Sequence, residues 1–282
     1  MDGLDTGAEN TWCPGCGNFG ILRAVKKAVQ RLEETGVERD RLVICAGIGC
    51  HGKIFDYLHL SGLYSLHGRS VAAVSGMKMA NPELRPIAFV GDGDAYGEGL
   101  AHLLFAAKRN MDVTVLVHNN GVYALTTGQF TPTTARGART RSSPRGNVEE
   151  PFHPLALLLE AGATLVARGY PGRLDHLAEL IVQAVQHPGF AMVDILQPCV
   201  TFHDTYKEYN KKVEVLEEPL DYPGALVLAR ERDRLPIGIF YRTEKPVYHR
   251  ELHGDLHPIR DSLSRKQRWQ LVQKLLSGET NE

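Results

Sequence analysis

No stretch of about 18 uncharged apolar residues interrupts the 282-residue sequence, so no membrane-spanning helix is expected. The first residues, MDGLDTGAENTWC, hold neither the basic nor the apolar segment of a secretory signal, and a cytoplasmic location is expected. Neither sign of charge predominates. Lys and Arg number 32 against 33 Asp and Glu, a net charge of −1, which leaves no electrostatic case for a nucleic-acid partner. Long single-sign runs, internal repeats and low-complexity tracts are missing as well. Cysteine is scarce and odd in number, five at positions 13, 16, 45, 50 and 199. That count argues against a disulfide framework and for metal binding or plain burial. Apolar residues make up 43% of the chain, enough to build the core of one large domain or two small ones.

Strand and helix patterns alternate. Residues 20–35 place Ile21, Val25, Val29 and Leu32 on one helical face, with Gly36 as the cap. RLVICAGIG (41–49) reads as a strand running into a glycine turn, and Leu66 to Ala80 as a buried helix ending before Pro82. PIAFV is the next strand, YGEGLAHLLFAAKRN a helix and DVTVLVH a strand; a helix, a strand, a helix and the strand FAMVDIL complete the series. Continuous apolar strands alternating with helices imply a doubly wound, mostly parallel α/β sheet covered on both faces. Residues 1–203 are expected to form that domain, and 204–282, charged and irregular, an extension packing on the domain or on a partner. A long polar connection, 126–151, breaks the alternation, and its Arg-rich part, 136–145, reads as a solvated or partner-facing segment.

FVGDGDAYGEG (89–99) is an unusual exit from a strand. Glycine turns between strand and helix usually offer backbone N–H groups to phosphate, yet this one carries Asp92, Asp94 and Glu98 and no Lys. A diphosphate tolerates a carboxylate if a divalent cation lies between them, and Mg²⁺ takes one or two carboxylates together with phosphate oxygens and water. Neutral oxygen donors follow in HNNGVY: Asn120 stands 28 residues after Asp92, at the end of the next strand. Asp92, the Asn120 side-chain oxygen and the Val122 carbonyl are therefore the expected Mg²⁺ ligands. GDG alone is a weak signal, common in tight surface turns. GDG followed at this distance by NN is the thiamine-diphosphate signature. An EF-hand reading of the same acidic residues fails on ligand types and loop length.

The cysteines divide. Cys45 lies inside the strand LVICA and reads as a small core residue. CPGC (Cys13, Cys16) is a two-ligand knuckle, Cys50 follows a strand in a glycine turn, and Cys199 follows the last strand of the series. Cys13, Cys16, Cys50 and Cys199 can hold zinc or a 4Fe-4S cluster, and spacing alone does not choose.

WCPGCGNFGILRA, GIGCHGK, LHGR, GDGD, HNNGVYALTTGQFTPTT and LQPC, in this order over residues 11–203, resemble the β subunit of 2-oxoacid:ferredoxin oxidoreductases. Beyond 203 the likeness is loose. The resemblance implies the thiamine-diphosphate fold and a 4Fe-4S cluster on those four cysteines. It implies cofactor contacts at Ile48, Gly49, Cys50, His51, His67, Gly91, Gly93, Asp94, Ala124 and Leu125. Lys53, three residues after Cys50, is the expected cation near the substrate carboxylate and the one catalytic side chain assigned. Solvated-surface and ordinary-turn readings stand beside this one for Lys53, His51 and His67. The implied reaction is oxidative decarboxylation of a 2-oxoacid with coenzyme A, or its reverse, with 2-oxoglutarate or a broad range favoured. Ferredoxin is the implied electron partner, and αβ or (αβ)2 the assembly. Thiamine activation needs a Glu on a second α/β domain, for which 282 residues leave no room, so an α subunit is expected to supply it with the coenzyme A site. A non-redox thiamine-diphosphate decarboxylase subunit and a zinc-stabilised binding module are the competing readings.

Overall fold

In the computed structural model, which describes residues 3–278, the apolar runs become strands of one sheet. In chain order the elements are α1 (Gly17–Glu34), β1 (Leu42–Ala46), α2 (Ile54–Tyr57), β2 (Ser61–Tyr64), α3 (Ser70–Ala80) and β3 (Arg85–Gly91). Then come α4 (Leu100–Lys108), β4 (Thr114–Asn119), the hairpin strands β5 (Val122–Tyr123) and β6 (Gln129–Phe130), α5 (Pro154–Glu160), β7 (Leu165–Gly169), α6 (Leu174–Gln186) and β8 (Ala191–Leu196). The chain closes with α7 (Tyr206–Lys212), β9 (Val213–Val215), α8 (Tyr222–Leu228), β10 (Leu235–Arg242), α9 (Tyr248–His253) and α10 (Arg265–Ser277). The eight-stranded sheet has the order β2-β1-β3-β4-β8-β7-β10-β9, and only the β7–β10 pairing is antiparallel.

The central strands are apolar on both sides because both sides are covered. On one face Ile21, Val25 and Leu32 of α1 and Leu177, Ile181 and Val185 of α6 pack against Ile44, Phe89 and Leu116. On the other, Val74, Leu103, Leu155 and Leu158 of α3, α4 and α5 meet Cys45, Val90, Val115 and Phe240. Each buried aliphatic or aromatic side chain there contributes about 1.5–3 kcal/mol. The parallel arrangement sends the carboxyl ends of neighbouring β1, β3, β4 and β8 to one edge, where ligands of such sheets collect.

Three local expectations are refined. The helix expected over 66–80 starts at Ser70, after a turn with Gly68 at φ +68°, and only its Ser70, Val71, Val74 and Lys78 positions are buried. Ser61–Tyr64 forms the edge strand β2, exposed throughout, with no apolar run to announce it. The segment beyond 204 is more regular than its charge suggests: β10 enters the sheet beside β7 with Pro236 to Phe240 buried and β9 pairs with it, whereas α10 buries no residue. No helix among the described residues is long and apolar enough to cross a membrane.

Candidate active site

β3 runs out into Asp92 and a π-helical turn, Gly93–Glu98. Glycine is required around it by contact. A Cβ on Gly47 would lie 1.9 Å from Asp94 Oδ2, one on Gly91 2.6 Å from His51 Nδ1, and one on Gly93 2.2 Å from the Tyr123 ring. These clearances are below any real Cβ contact, so the acidic turn, the β1 turn and His51 nest only because the side chains are absent. Asp94 accepts the Gly68 N–H at 2.6 Å. His67 Nδ1 and His51 Nε2 stand 3.1 and 3.4 Å from its carboxylate, yet both nitrogens and Asp94 Oδ2 are buried without a hydrogen-bond partner. Orphaned polar atoms at a cavity wall mark a place for a polar ligand.

Asp92 is 2% exposed. Its Oδ2 accepts the hydroxyls of Thr131 at 2.5 Å and Thr133 at 2.7 Å, while Oδ1 has only the Asn120 N–H at 3.5 Å. One carboxylate oxygen is thus saturated by the 126–151 connection and the other is left available. Burial pushes the Asp92 carboxyl above its ordinary value, against the two hydroxyls that pull it down. A cation beside Oδ1 would relieve that penalty. Asn120 accepts the Val122 N–H on Oδ1 at 3.0 Å and donates to Gln197 Oε1 at 2.7 Å.

The cofactor contacts implied by resemblance come together. Ile48, Gly49, Cys50, His51, His67, Gly91, Gly93, Asp94, Ala124 and Leu125 all line one cavity of about 70 Å³, with Asp92, Asn120 and Val122 on the same wall. Sequence reasoning missed Tyr123 and Thr126, also on this wall, and the two threonines bonded to Asp92.

Next to it lies a second cavity, of about 160 Å³, lined by Cys13, Cys16, Cys50 and Cys199 together with Lys53 and Trp12. The two cavities share Cys50, Asn120, Ala124 and Leu125. The knuckle is tied to the turn after β8: the Cys16 N–H bonds Cys13 O, the Gly17 N–H bonds Pro198 O at 3.1 Å, and Gln197 Nε2 donates to Cys16 Sγ at 3.6 Å. The Trp12 indole donates to Cys50 O at 2.7 Å, and Lys53 Nζ to the Thr11 hydroxyl at 3.0 Å. Lys53 therefore faces the cysteine cavity and is not on the wall of the glycine cavity. Burial pushes the Cys16 thiol up to about 11, and burial raises Cys50 too, with Lys53 opposing. Such sulfurs stay protonated unless a metal cation takes them as thiolates. Cys45 is elsewhere, fully buried in the core.

Among the described residues no three His, Cys, Asp or Glu side chains surround one point as a ready-made single-ion site. The donor sets explain this. Two carboxylates line the glycine cavity, Asp92 and Asp94, and Asp94 is taken by the Gly68 N–H, so a Mg²⁺ ion there would draw on Asp92, neutral oxygens and the ligand's phosphates. A 4Fe-4S cluster takes one thiolate on each iron, so its four sulfurs do not converge on a point. No glutamate lines either cavity among the described residues.

A glycine cradle at the carboxyl edge of a doubly wound sheet, with Asp92 and Asn120 side by side, defines a thiamine-diphosphate enzyme domain. Residues 47–195 match the thiamine pyrophosphate enzyme C-terminal TPP-binding domain, and 199–255 match the C-terminal family of the pyruvate ferredoxin oxidoreductase β subunit. The 2-oxoacid:ferredoxin oxidoreductase subunit beta of Saccharolobus solfataricus is 44% identical over 83% of this chain and 82% of its own length. A subunit of the same name from a Sulfolobus species is 41% identical over 92% and 90%. The chain belongs to the 2-oxoacid:ferredoxin oxidoreductase β-subunit family, and so is one component of a heteromeric oxidoreductase. The 2-oxoglutarate:ferredoxin oxidoreductase from Magnetococcus marinus, solved with 2-oxoglutarate, coenzyme A and succinyl-CoA bound, superposes with a TM-score of 0.87 at 33% identity, covering 95% of this chain and 94% of that one.

Proposed function

We propose that this chain, paired with an α subunit in the cytoplasm, carries out coenzyme A-dependent oxidative decarboxylation of a 2-oxoacid, 2-oxoglutarate foremost, or the reductive reverse. The 2-oxoacid and coenzyme A become acyl-CoA and CO₂, releasing a proton and two electrons, which leave singly for ferredoxin. What carries the reading is the shared wall: Cys50, Asn120, Ala124 and Leu125 belong both to the glycine cavity and to the four-cysteine cavity. A cavity for carbon chemistry adjoining a cavity for electrons is what this reaction needs, whereas a non-redox decarboxylase leaves the four clustered cysteines without a use, and a zinc module leaves the glycine cavity without one.

Thiamine diphosphate, when bound, supplies the carbon–carbon cleavage chemistry. The residues hold and orient it. Asp92, Asn120 and the Val122 carbonyl hold Mg²⁺, which clamps the diphosphate. His51 and His67, which line the same cavity with one ring nitrogen each turned to the Asp94 carboxylate, are the cofactor-contacting histidines. Ile48, Gly49, Gly91, Gly93, Asp94, Ala124 and Leu125 shape the walls, and Cys13, Cys16, Cys50 and Cys199 hold the 4Fe-4S cluster. Lys53, anchored on Thr11, holds the substrate carboxylate from the cysteine side. With no glutamate on either cavity wall among the described residues, the activating Glu and the coenzyme A site come from the α subunit. The 2-oxoglutarate preference draws on the Magnetococcus marinus structure and on the 2-oxoglutarate synthase subunit KorB of Archaeoglobus fulgidus, 43% identical over 67% of this chain and 70% of its own length.

The test is copurification with the α subunit and assay of ferredoxin reduction against a panel of 2-oxoacids, with iron, sulfide and thiamine diphosphate quantified per heteromer. The expected result is coenzyme A-dependent reduction, fastest with 2-oxoglutarate, and no activity from this chain alone. Decarboxylation that proceeds at full rate in an iron-free heteromer would overturn the redox assignment.

A further inference from the structure

The thiamine motif ends in two asparagines, and only Asn120 has a place on the cavity wall. Asn119 points elsewhere: its Nδ2 donates to Asp194 Oδ1 at 3.0 Å, and its Oδ1 accepts the Thr133 hydroxyl at 3.0 Å. Asp194 sits in the middle of β8 among apolar neighbours and is 1% exposed. A carboxylate in such a place is costly unless paired, and this one is paired from three directions. Besides Asn119, Asp194 Oδ1 accepts the Tyr96 hydroxyl at 2.8 Å, and the Arg168 guanidinium stands 3.6 Å from Oδ2. Arg168 is itself 7% exposed, with its charge turned to Asp194 and to the Phe240 ring.

We propose that Asp194, acting through Asn119, Tyr96 and Thr133, is the positioning residue that sets the distance between the two metal-binding side chains Asp92 and Asn120; the inference rests on the metal reading above. Tyr96 lies in the π-helical turn that continues directly from Asp92, and Asn119 precedes Asn120. One buried carboxylate therefore grips both segments, one from each ligand-bearing strand end. It also fixes an orientation. As an acceptor only, Asp194 turns the Asn119 amide nitrogen toward itself, which leaves Asn119 Oδ1 facing Thr133. Thr133 is held within reach of Asp92 Oδ2, at 2.7 Å, so that Oδ1 stays the free oxygen. The chain of contacts Arg168–Asp194–Asn119–Thr133 reaches the cofactor cavity only at its end, Asp92, since Asp194, Asn119, Arg168 and Thr133 are not on that wall and line a separate cavity. None of these groups touches the reacting atoms.

The experiment uses the α–β heteromer stripped of thiamine diphosphate and Mg²⁺, and reads binding rather than turnover. Mg²⁺ is titrated at fixed thiamine diphosphate by calorimetry in wild type, Asp194→Asn and Asn119→Ala. Outer-shell partners of metal ligands are typically worth about 10–100-fold in metal affinity. Both variants should need roughly 10–100-fold more Mg²⁺ for half-saturation, in line with that range. Iron content should stay full and kcat at saturating Mg²⁺ should fall by no more than about threefold, because the ligands themselves remain. A folded, iron-replete Asp194→Asn or Asn119→Ala heteromer with a wild-type Mg²⁺ requirement overturns the inference, as does a lower melting temperature with unchanged Mg²⁺ affinity. Should Asp194→Asn fail to assemble, Asn119→Ala decides alone, since it leaves the Asp194 contacts to Arg168 and Tyr96 in place. A wild-type heteromer that binds thiamine diphosphate without any Mg²⁺ would instead refute the metal reading beneath it.

Discussion

Cys45→Ala and Cys50→Ala each remove one sulfur atom, five residues apart in the same glycine-ended strand region, with opposite expected outcomes. Cys45 is fully buried in β1, between Leu63 of β2 and Ala88 of β3 in the sheet register, and packs with the α3 side of the core. Deleting its sulfur leaves a cavity of a single heavy atom. A truncation that small costs about 1 kcal/mol, which in a chain of this size lowers the melting temperature by about 2 °C. Iron content should not change. Cys50 contributes its sulfur to the four-cysteine cavity, and its backbone carbonyl, which the Trp12 indole grips, survives substitution by alanine. The local fold should therefore persist in Cys50→Ala while the cluster is lost. The assay is iron and acid-labile sulfide per purified heteromer, with the visible thiolate-to-iron absorption and the electron paramagnetic resonance of the reduced protein. An iron-free Cys45→Ala beside an iron-replete Cys50→Ala would refute the ligand assignment.

Asp92→Ala and Asn120→Ala should abolish retention of thiamine diphosphate and Mg²⁺ through purification while the heteromer still assembles; stoichiometric cofactor in either variant contradicts the clamp. Lys53→Met keeps the stem and removes the charge, so cofactor and iron should hold while turnover falls on the order of tenfold to a hundredfold; turnover within a factor of two would return Lys53 to a structural hold on Thr11. Acid should destabilise the fold through two histidines. Burial first and neighbouring cations second, Arg242 for His187 and Lys78 for His249, pull both down from 6.5 to about 4. They are neutral when folded and take up protons when unfolded, so the stability they contribute is whole above pH 6.5 and is lost as pH falls toward 4. Each accounts for about 2 kcal/mol between pH 7 and pH 5. Urea midpoints for His187→Gln at the two pH values should show a shallower acid loss than wild type, and an unchanged loss would contradict the assignment.

The glycine cradle was legible because its chemistry uses distinctive residues at strand ends: a GDG turn, a paired asparagine downstream, and cysteines in turns rather than in strands. Cys45 could be set apart from Cys50 for the same reason, since one falls within the apolar run and the other after it. Thr131 and Thr133 were not legible. Threonines in a polar connection have no spacing rule that ties them to an aspartate some forty residues earlier, and only the folded path of 126–151 brings their hydroxyls to Asp92. Asp194 was hidden for a different reason, because a lone acidic residue inside AMVDIL reads as part of the strand until Arg168, Tyr96 and Asn119 are seen around it. The edge strand β2 carries no pattern, its four residues being exposed. β10 was obscured by the charged sequence around it, and its antiparallel entry beside β7 breaks the alternation on which the parallel sheet was read.

The walls of the four-cysteine cavity have a consequence for how the protein is made. Cys13 and Cys16 precede every strand of the main sheet, whereas Cys199 follows β8, after six of the eight strands. The turn bearing Cys199 takes its place only when β8 pairs with β4 and Pro198 receives the Gly17 N–H. Until then the knuckle has no opposite wall. On the cluster assignment proposed above, metal loading would wait until β8 has been made and paired, since a chain ending before β8 presents at most three of the four sulfurs. Bound metal would then report that β8 had taken its place beside β4.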